Sequence, residues 1–365
     1  MALQCGIVGL ANTGKTTIFN CISNTKGETS AYAFSSSKSN IGQILVPDQR
    51  LFELEKYQKT EKIVHTTVEI VDIPGLAKGS SRGEGVGNSF LSDIRNTDAI
   101  IHVLRCFDDP SLPHMEGSVD PVRDLELVDF ELQVKDLELV ERKMHRLDKM
   151  VRAGEKSAKH GYDVLALYKK HLEDLQPART APVKEEDHEW VKDIQLLSMK
   201  PVMYVCNVDD ASATTGNHYV EKVHAALEGT GAEVLIIAGL LESEIAELED
   251  PADQQAFLED AGLSEPGVNK LVRAAYDILR LKTFFTVGPK EIRAWTIREG
   301  MTAPQAAGVI HSDLERGFIR AEVMKYHDFI TLGSEQAVKN AGKFAVEGKN
   351  YIVQDGDILH IRFNV

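Results

Sequence analysis

Apolar residues recur along this chain in two rhythms. Short runs rich in β-branched residues open it with CGIVGL and return as TTVEIVDI (66–73), AIIHVLRCF (99–107), PVMYVCNV (201–208) and AEVLIIAG (232–239). Each predicts a strand covered on both faces. Helix-compatible stretches separate them, beginning with TTIFNCIS after the first run. Alternating strand and helix predict a mostly parallel sheet with helices on both sides, an α/β domain.

Between residues 107 and 201 the rhythm lengthens. From near Val119, Leu125, Val128, Leu132, Leu139 and Met150 recur at helical spacing and form one apolar stripe opposite a charged face. Gly154 breaks the pattern, and Val164, Leu165, Tyr168, Leu172 and Leu175 predict a return helix. The stretch reads as an antiparallel helical hairpin inserted in the sheet domain, with PARTAP (177–182) as a linker. A packing arm is the plainer reading and a docking arm for a large partner the sharper one. After Leu281 the pattern becomes TFFTV and IRAWTI, then a helix-like APQAAGVIHSDLERG, then YIVQDGDILHIRF with a DG turn. Strand pair, helix and hairpin predict a small α+β module. The expected domains are therefore 1–118 with 200–280 for the sheet domain, 119–199 for the helical insertion and 281–365 for the C-terminal module.

The chain of 365 residues is 43% hydrophobic and 27% charged, which excludes wholesale disorder and a collagen-like fibre. Its net charge of −15 opposes generic coating of nucleic acid or anionic lipid. Residues 281–365 escape that acidity, with 11 Lys+Arg against 10 Asp+Glu, and offer Arg293, Trp295, Arg298, Lys325, Lys343 and Lys349 for partner contacts. Cys5, Cys21, Cys106 and Cys206 lack metal-ligand spacing and predict reduced core thiols. With no basic leader and no apolar run near the roughly 18 residues a membrane helix needs, a cytoplasmic protein with no membrane partner is expected.

Chemistry concentrates at the strand ends. Residues 9–16 read GLANTGKT, satisfying GxxxxGK[ST] between a strand and a helix. In such a loop the backbone N–H groups of Asn12, Thr13, Gly14, Lys15, Thr16 and Thr17 turn around phosphate oxygens, Lys15 adds a charge and Thr16 an oxygen ligand for Mg²⁺. Asp72 begins DIPG at the end of another strand and suits Mg²⁺ binding, while the N–H of Gly75 suits sensing of a γ-phosphate. NVDD (207–210) ends a third strand where a nucleobase is read. Val208 stands where the guanine-specifying NKxD has its lysine, and Asp210 retains the acceptor. Ala238 and Gly239 close the next strand, where backbone can approach the base.

These motifs, in this order, resemble a translation-factor-class P-loop GTPase, and Leu76 directly after DIPG resembles the hydrophobically substituted members, which lack a water-orienting glutamine there. DIPGLAKGSSRGEGVGNSFLSDIRNTDAIIHV, the helical insertion and TFFTVGPKEIRAWTIREGMTAPQAAGVIHSDLERGFIRAEV resemble the YchF/Obg-like ATPase family over essentially the whole chain. The resemblance implies that the C-terminal module is a TGS domain of β-grasp fold. It also implies ATP or GTP as substrate with Mg²⁺, a cytoplasmic protein that is monomeric when free, and the ribosome (large subunit or 70S-type particle) and RNA as partners. Residue by residue, YAFSSSKSN stands where the family has YPFCTIEPN, so Ser36 aligns with the Mg²⁺-binding threonine; Ala11 and Thr13 replace Pro and Val; and Asp210 replaces the usual Glu, a guanine-type acceptor in a family that prefers ATP. His114 matches a family histidine considered for orienting water, so the catalytic pair implied is His114 and Lys15. Two functions follow: an NTPase switch that binds ribosomes, or a nucleotide-gated RNA- or ribosome-binding adaptor with strict GTP preference and incidental hydrolysis. A metabolic kinase would need an acceptor site that is not evident.

Overall fold

A computed structural model describes residues 3–23, 40–75 and 87–364. Among them, twelve strands run in chain order: β1 (Gln4–Val8), β2 (Asn40–Leu45), β3 (Ile63–Val64), β4 (Thr67–Asp72), β5 (Ala99–Cys106), β6 (Val202–Val208), β7 (Val234–Ile237), β8 (Leu281–Val287), β9 (Ile292–Arg298), β10 (Phe318–Lys325), β11 (Ala345–Glu347) and β12 (Asp357–Phe363). They build two sheets, ordered β2-β4-β1-β5-β6-β7 and β11-β10-β12-β8-β9-β3. No helix among the described residues is long and apolar enough to cross a membrane.

The first sheet is parallel from β4 through β7, with Ile7 beside Asp72, Arg105 beside Asn207, and Asn207 beside Ile237. That register brings the carboxyl ends of β1, β4, β6 and β7 to one edge, where parallel α/β sheets bind ligands. Continuous apolar runs were the right signal, since all eight residues of β5 are buried. Cys5, Cys21, Cys106 and Cys206 are all buried, and none forms a disulfide among the described residues.

The inserted hairpin is present. Its first helix, Pro121–Arg152, is capped by Asp120, which accepts from the Arg123 N–H, and has Pro121 in its first turn. Leu125, Val128 and Leu132 bury its root against the sheet, while Leu139, Val140 and Leu147 pack on Val164, Leu165, Tyr168 and Leu172 of the return helix Lys156–Glu173. Gly154 makes the break with a φ of 91°. Two stripe members fall outside this core: Met150 is 41% exposed near the helix end, and Leu175 is 60% exposed beyond the return helix. Between the halves, the fully buried Asp136 accepts from the N–H groups of Leu197 and Ser198, each at 2.7 Å, and from the Ser198 hydroxyl at 2.6 Å. Burial pushes its carboxyl up to about 6.

The described chain divides into two compact units, Met1–Gln43 with Glu69–Leu271, and Ile44–Val68 with Val272–Val365. The sequence boundaries put residues 44–68 with the first sheet, but their side chains find partners in the second unit. The helix Arg50–Tyr57 buries Leu51 and Leu54 in one cluster with Phe285, Ile292, Ala294 and Ile358. Arg50 pairs with Asp48 and Asp355, each at 2.7 Å, and lies 4.9 Å from the Phe285 ring centre. β3 joins the edge of β9 in parallel.

In this unit β8 and β9 form the expected antiparallel pair. The hairpin expected at the DG turn does not form. β12 pairs antiparallel with β10 and parallel with β8, and the segment before the turn contributes only an isolated bridge from Ile352 to Thr302. The turn itself closes, the Asp357 N–H donating to the Gln354 carbonyl at 3.2 Å, but Asp355 within it accepts from the Thr283 N–H and from Arg50, which ties the turn to β8 and the helix Arg50–Tyr57. Among the basic residues singled out above, Lys325 and Lys343 pair with Asp357 and Asp328, and Arg293 lies over the Trp295 ring at 4.0 Å.

Candidate phosphate-binding site

The loop after β1 is shaped by residues that only glycine can replace. Gly9 and Gly14 have φ of 150° and 88°, and a Cβ on Gly14 would lie 2.1 Å from the Asn207 amide nitrogen. Asn12 is also left-handed, at φ 61°, a conformation asparagine tolerates. The chain then enters the helix Lys15–Ser23, whose first N–H groups have no partner within the helix and point at the loop.

Lys15 is buried inside this turn, its ammonium donating to the Leu10 carbonyl at 2.6 Å. Desolvation pulls its pKa down to about 8, against the opposing pull of Asp72. Gly75 closes over it, since a Cβ there would meet the Lys15 ammonium at 3.2 Å. The Thr16 hydroxyl donates to Asp72 Oδ2 at 3.0 Å, while Asp72 Oδ1 is buried without a hydrogen-bond partner among the described residues. Burial raises the Asp72 carboxyl, with the Thr16 hydrogen bond and Lys15 opposing. A hydroxyl and a carboxylate with one orphaned oxygen are the hard donors that Mg²⁺ takes, so these residues fit that ion. Ser36 and Leu76 lie outside the described residues.

The base-side residues divide their work. The Asn207 amide donates to the Thr13 carbonyl at 2.9 Å and its oxygen accepts from the Gly239 N–H at 2.9 Å. It therefore ties the phosphate loop to the end of β7, where Ala238 precedes the helix Gly239–Glu247. Asp209 caps the next turn by accepting from the Ser212 N–H, and Asp210 is exposed. Thr13 turns its hydroxyl back to the Leu10 carbonyl, and Thr17 sits half-buried in the first turn of the helix.

His114 is brought near the loop but turned elsewhere. Asn12 donates to the Pro113 carbonyl at 3.0 Å, so the backbone beside His114 touches the phosphate loop. The imidazole itself is 4% exposed and meets Asp124 Oδ2 at 2.8 Å. The role of Asp124 was not read from the sequence; its only local signal is a carboxylate in the first turn after the Asp120–Pro121 cap. Arg105 was missed as well, although a lone arginine in the apolar run AIIHVLRCF was visible. Almost fully buried, it donates to the carbonyls of Phe107, Leu112 and Asp109 at 3.2, 3.0 and 3.2 Å and so organises the loop that carries His114.

Comparison with known proteins places this geometry. Residues 281–364 match the family model for the YchF GTPase C-terminal region, described as a protein of unknown function (DUF933), and residues 4–151 match a model described as 50S ribosome-binding GTPase. The chain is 45% identical to the ribosome-binding ATPase YchF of Bacillus subtilis over the full length of both. It is 41% identical to Obg-like ATPase 1 of Pongo abelii, over the whole of this chain and 93% of that one. The solved structure of the Schizosaccharomyces pombe YchF GTPase superposes with a TM-score of 0.88 at 33% identity, covering 99% of this chain and 97% of that one.

Proposed function

The chain belongs to the YchF/Obg-like ATPase family, and from that premise we propose that it is a P-loop NTPase that hydrolyses ATP, and GTP as a second substrate, as a nucleotide-dependent switch that binds ribosomes. The observation that carries the reading is the meeting, at one sheet edge, of the glycine-turned loop, the buried Lys15 and the Thr16–Asp72 pair with its orphaned oxygen. The relatives' names, ribosome-binding ATPase and Obg-like ATPase, support the activity and the partner.

In this reading the N–H groups from Asn12 to Thr17 hold the phosphate chain, and Lys15 exchanges the Leu10 carbonyl for phosphate oxygens. Thr16 and Asp72, with Ser36, would hold Mg²⁺, which supplies charge neutralisation on the β- and γ-phosphates when bound. Gly75 covers the γ-phosphate end. Asn207 holds the loop's shape, and Asp210 meets the base edge beside Ala238 and Gly239. His114 orients or deprotonates the attacking water, the task that Leu76 has no hydrogen-bonding group to perform. RNA contacts, a free monomer and residence in the cytoplasm complete the proposal.

The test is a side-by-side titration of ATP and GTP with Mg²⁺, followed by thermal melting and by turnover with and without ribosomes. Wild type should be stabilised by nucleotide, Lys15→Ala should lose that shift while its nucleotide-free melt stays near wild type, and ribosomes should raise turnover. An unchanged ligand-induced shift in Lys15→Ala removes the phosphate assignment. Turnover indifferent to ribosomes, with binding to them intact, favours the adaptor.

A further inference from the structure

The loop between β5 and the long helix is held from three sides. Arg105 grips its carbonyls at Phe107, Asp109 and Leu112, and Asn12 holds the Pro113 carbonyl at 3.0 Å from the phosphate loop. Asp124, 1% exposed, holds the His114 ring. The Glu116 N–H donates to His114 Nδ1 at 3.1 Å, so that nitrogen carries the lone pair and the proton sits on Nε2, which donates to Asp124 Oδ2 at 2.8 Å. Both ring nitrogens are thus spent. Neither can address a water at a γ-phosphate without leaving this position.

Asp124 Oδ1 accepts from Arg123 Nη2 at 3.1 Å and Nε at 3.3 Å, and the same Nη2 lies 3.5 Å from His114 Nδ1, so Arg123 touches both the carboxylate and the ring. Arg123 in turn donates to the Ser118 carbonyl at 2.6 Å and hydroxyl at 3.1 Å, closing a knot between the loop and the first turn of the helix Pro121–Arg152. The Pro113 carbonyl next to His114 already meets the phosphate loop, so the imidazole hangs from backbone that the site itself holds.

We propose that Asp124 is a positioning residue that parks His114 away from the reacting water, so that the helical arm carrying Asp124 governs turnover by keeping or releasing the imidazole. The inference rests on His114 being the water-orienting group. It gives the arm a role in the chemistry through one hydrogen bond: displacement of the helix root by a docked partner moves the acceptor off the ring. The knot has two discrete arrangements, ring on Asp124 or ring free, as a coupling element requires.

Two single variants should both raise turnover. Asp124→Asn keeps the shape but leaves one oxygen for the donors of both His114 and Arg123, and a neutral acceptor holds either less well. Its single-turnover rate should rise about three- to thirtyfold with nucleotide Kd unchanged, and the gain should vanish in Asp124→Asn with His114→Ala. Arg123→Gln, at a side chain 29% exposed, removes the cation that touches both Asp124 and the ring and should raise turnover about two- to fivefold at the same Kd. A merely structural role would lower both. An unchanged or lower rate in a natively melting Asp124→Asn overturns the proposal; should that variant not fold, an unchanged or lower rate in Arg123→Gln does so alone. His114→Ala turning over like wild type would instead remove the underlying assignment of His114, a failure distinguishable from loss of the latch alone.

Discussion

Burial in the phosphate loop pulls the Lys15 ammonium down to about 8, opposing its charge more than Asp72 supports it. Its value in the unfolded chain is the ordinary 10.5, so between about 8 and 10.5 the native state binds fewer protons than the unfolded one. The Lys15 contribution to stability therefore improves as pH rises through that window, and below it the buried charge is a standing penalty. Bound phosphates reverse the balance by favouring the ammonium, so nucleotide binding should take up protons. Nucleotide affinity is expected to fall above pH 8, by at most about tenfold per pH unit. Calorimetry at pH 8.5 in two buffers of different ionisation enthalpy measures the uptake directly, and equal heats in both would contradict it.

The connections between elements carry a second expectation. Asn207, at the end of β6, bonds both the phosphate loop and the start of the helix after β7. Its removal orphans the Thr13 carbonyl and the Gly239 N–H, each at about 1–3 kcal/mol. Asn207→Ala should lower the melting temperature and weaken ATP and GTP by similar factors, because it damages a shared scaffold. Asp210→Ala, at an exposed side chain, should spare the melt and weaken GTP far more than ATP, since only guanine presents the paired donors. Parallel isothermal titrations of both variants decide it: equal losses of both nucleotides in Asp210→Ala would reduce that residue to loop support.

At the scale of the whole molecule, the second unit is built from two distant stretches of chain, and truncation should reveal it. Deleting residues 281–365 removes β8 to β12 and leaves Leu51 and Leu54, both fully buried, without the strands that cover them. The truncated chain is expected to bind an apolar dye and scatter light at concentrations where the full chain stays clear; a soluble, cooperatively melting product would show residues 44–68 to be self-sufficient. What residue order alone determined is what depends on neighbours in the chain. Five strands of the first sheet were legible because burial on both faces writes continuous apolar runs, whereas β2, whose burial alternates, was not; the hairpin was legible because a helix repeats its apolar face every three or four residues, and the phosphate loop because its turns demand glycine at Gly9 and Gly14. Tertiary structure decided the rest. Residues 44–68 pack with β8 to β12, where Leu51 and Leu54 are buried and Arg50 meets Asp355 across 305 positions, β12 takes β10 and β8 as neighbours, Asn207 is committed to a carbonyl 194 residues away, and His114 faces Asp124 only because the loop and the helix root fold onto each other. A side chain's partner across such distances leaves no periodicity in the sequence, since it is chosen by the packing that brings two surfaces together.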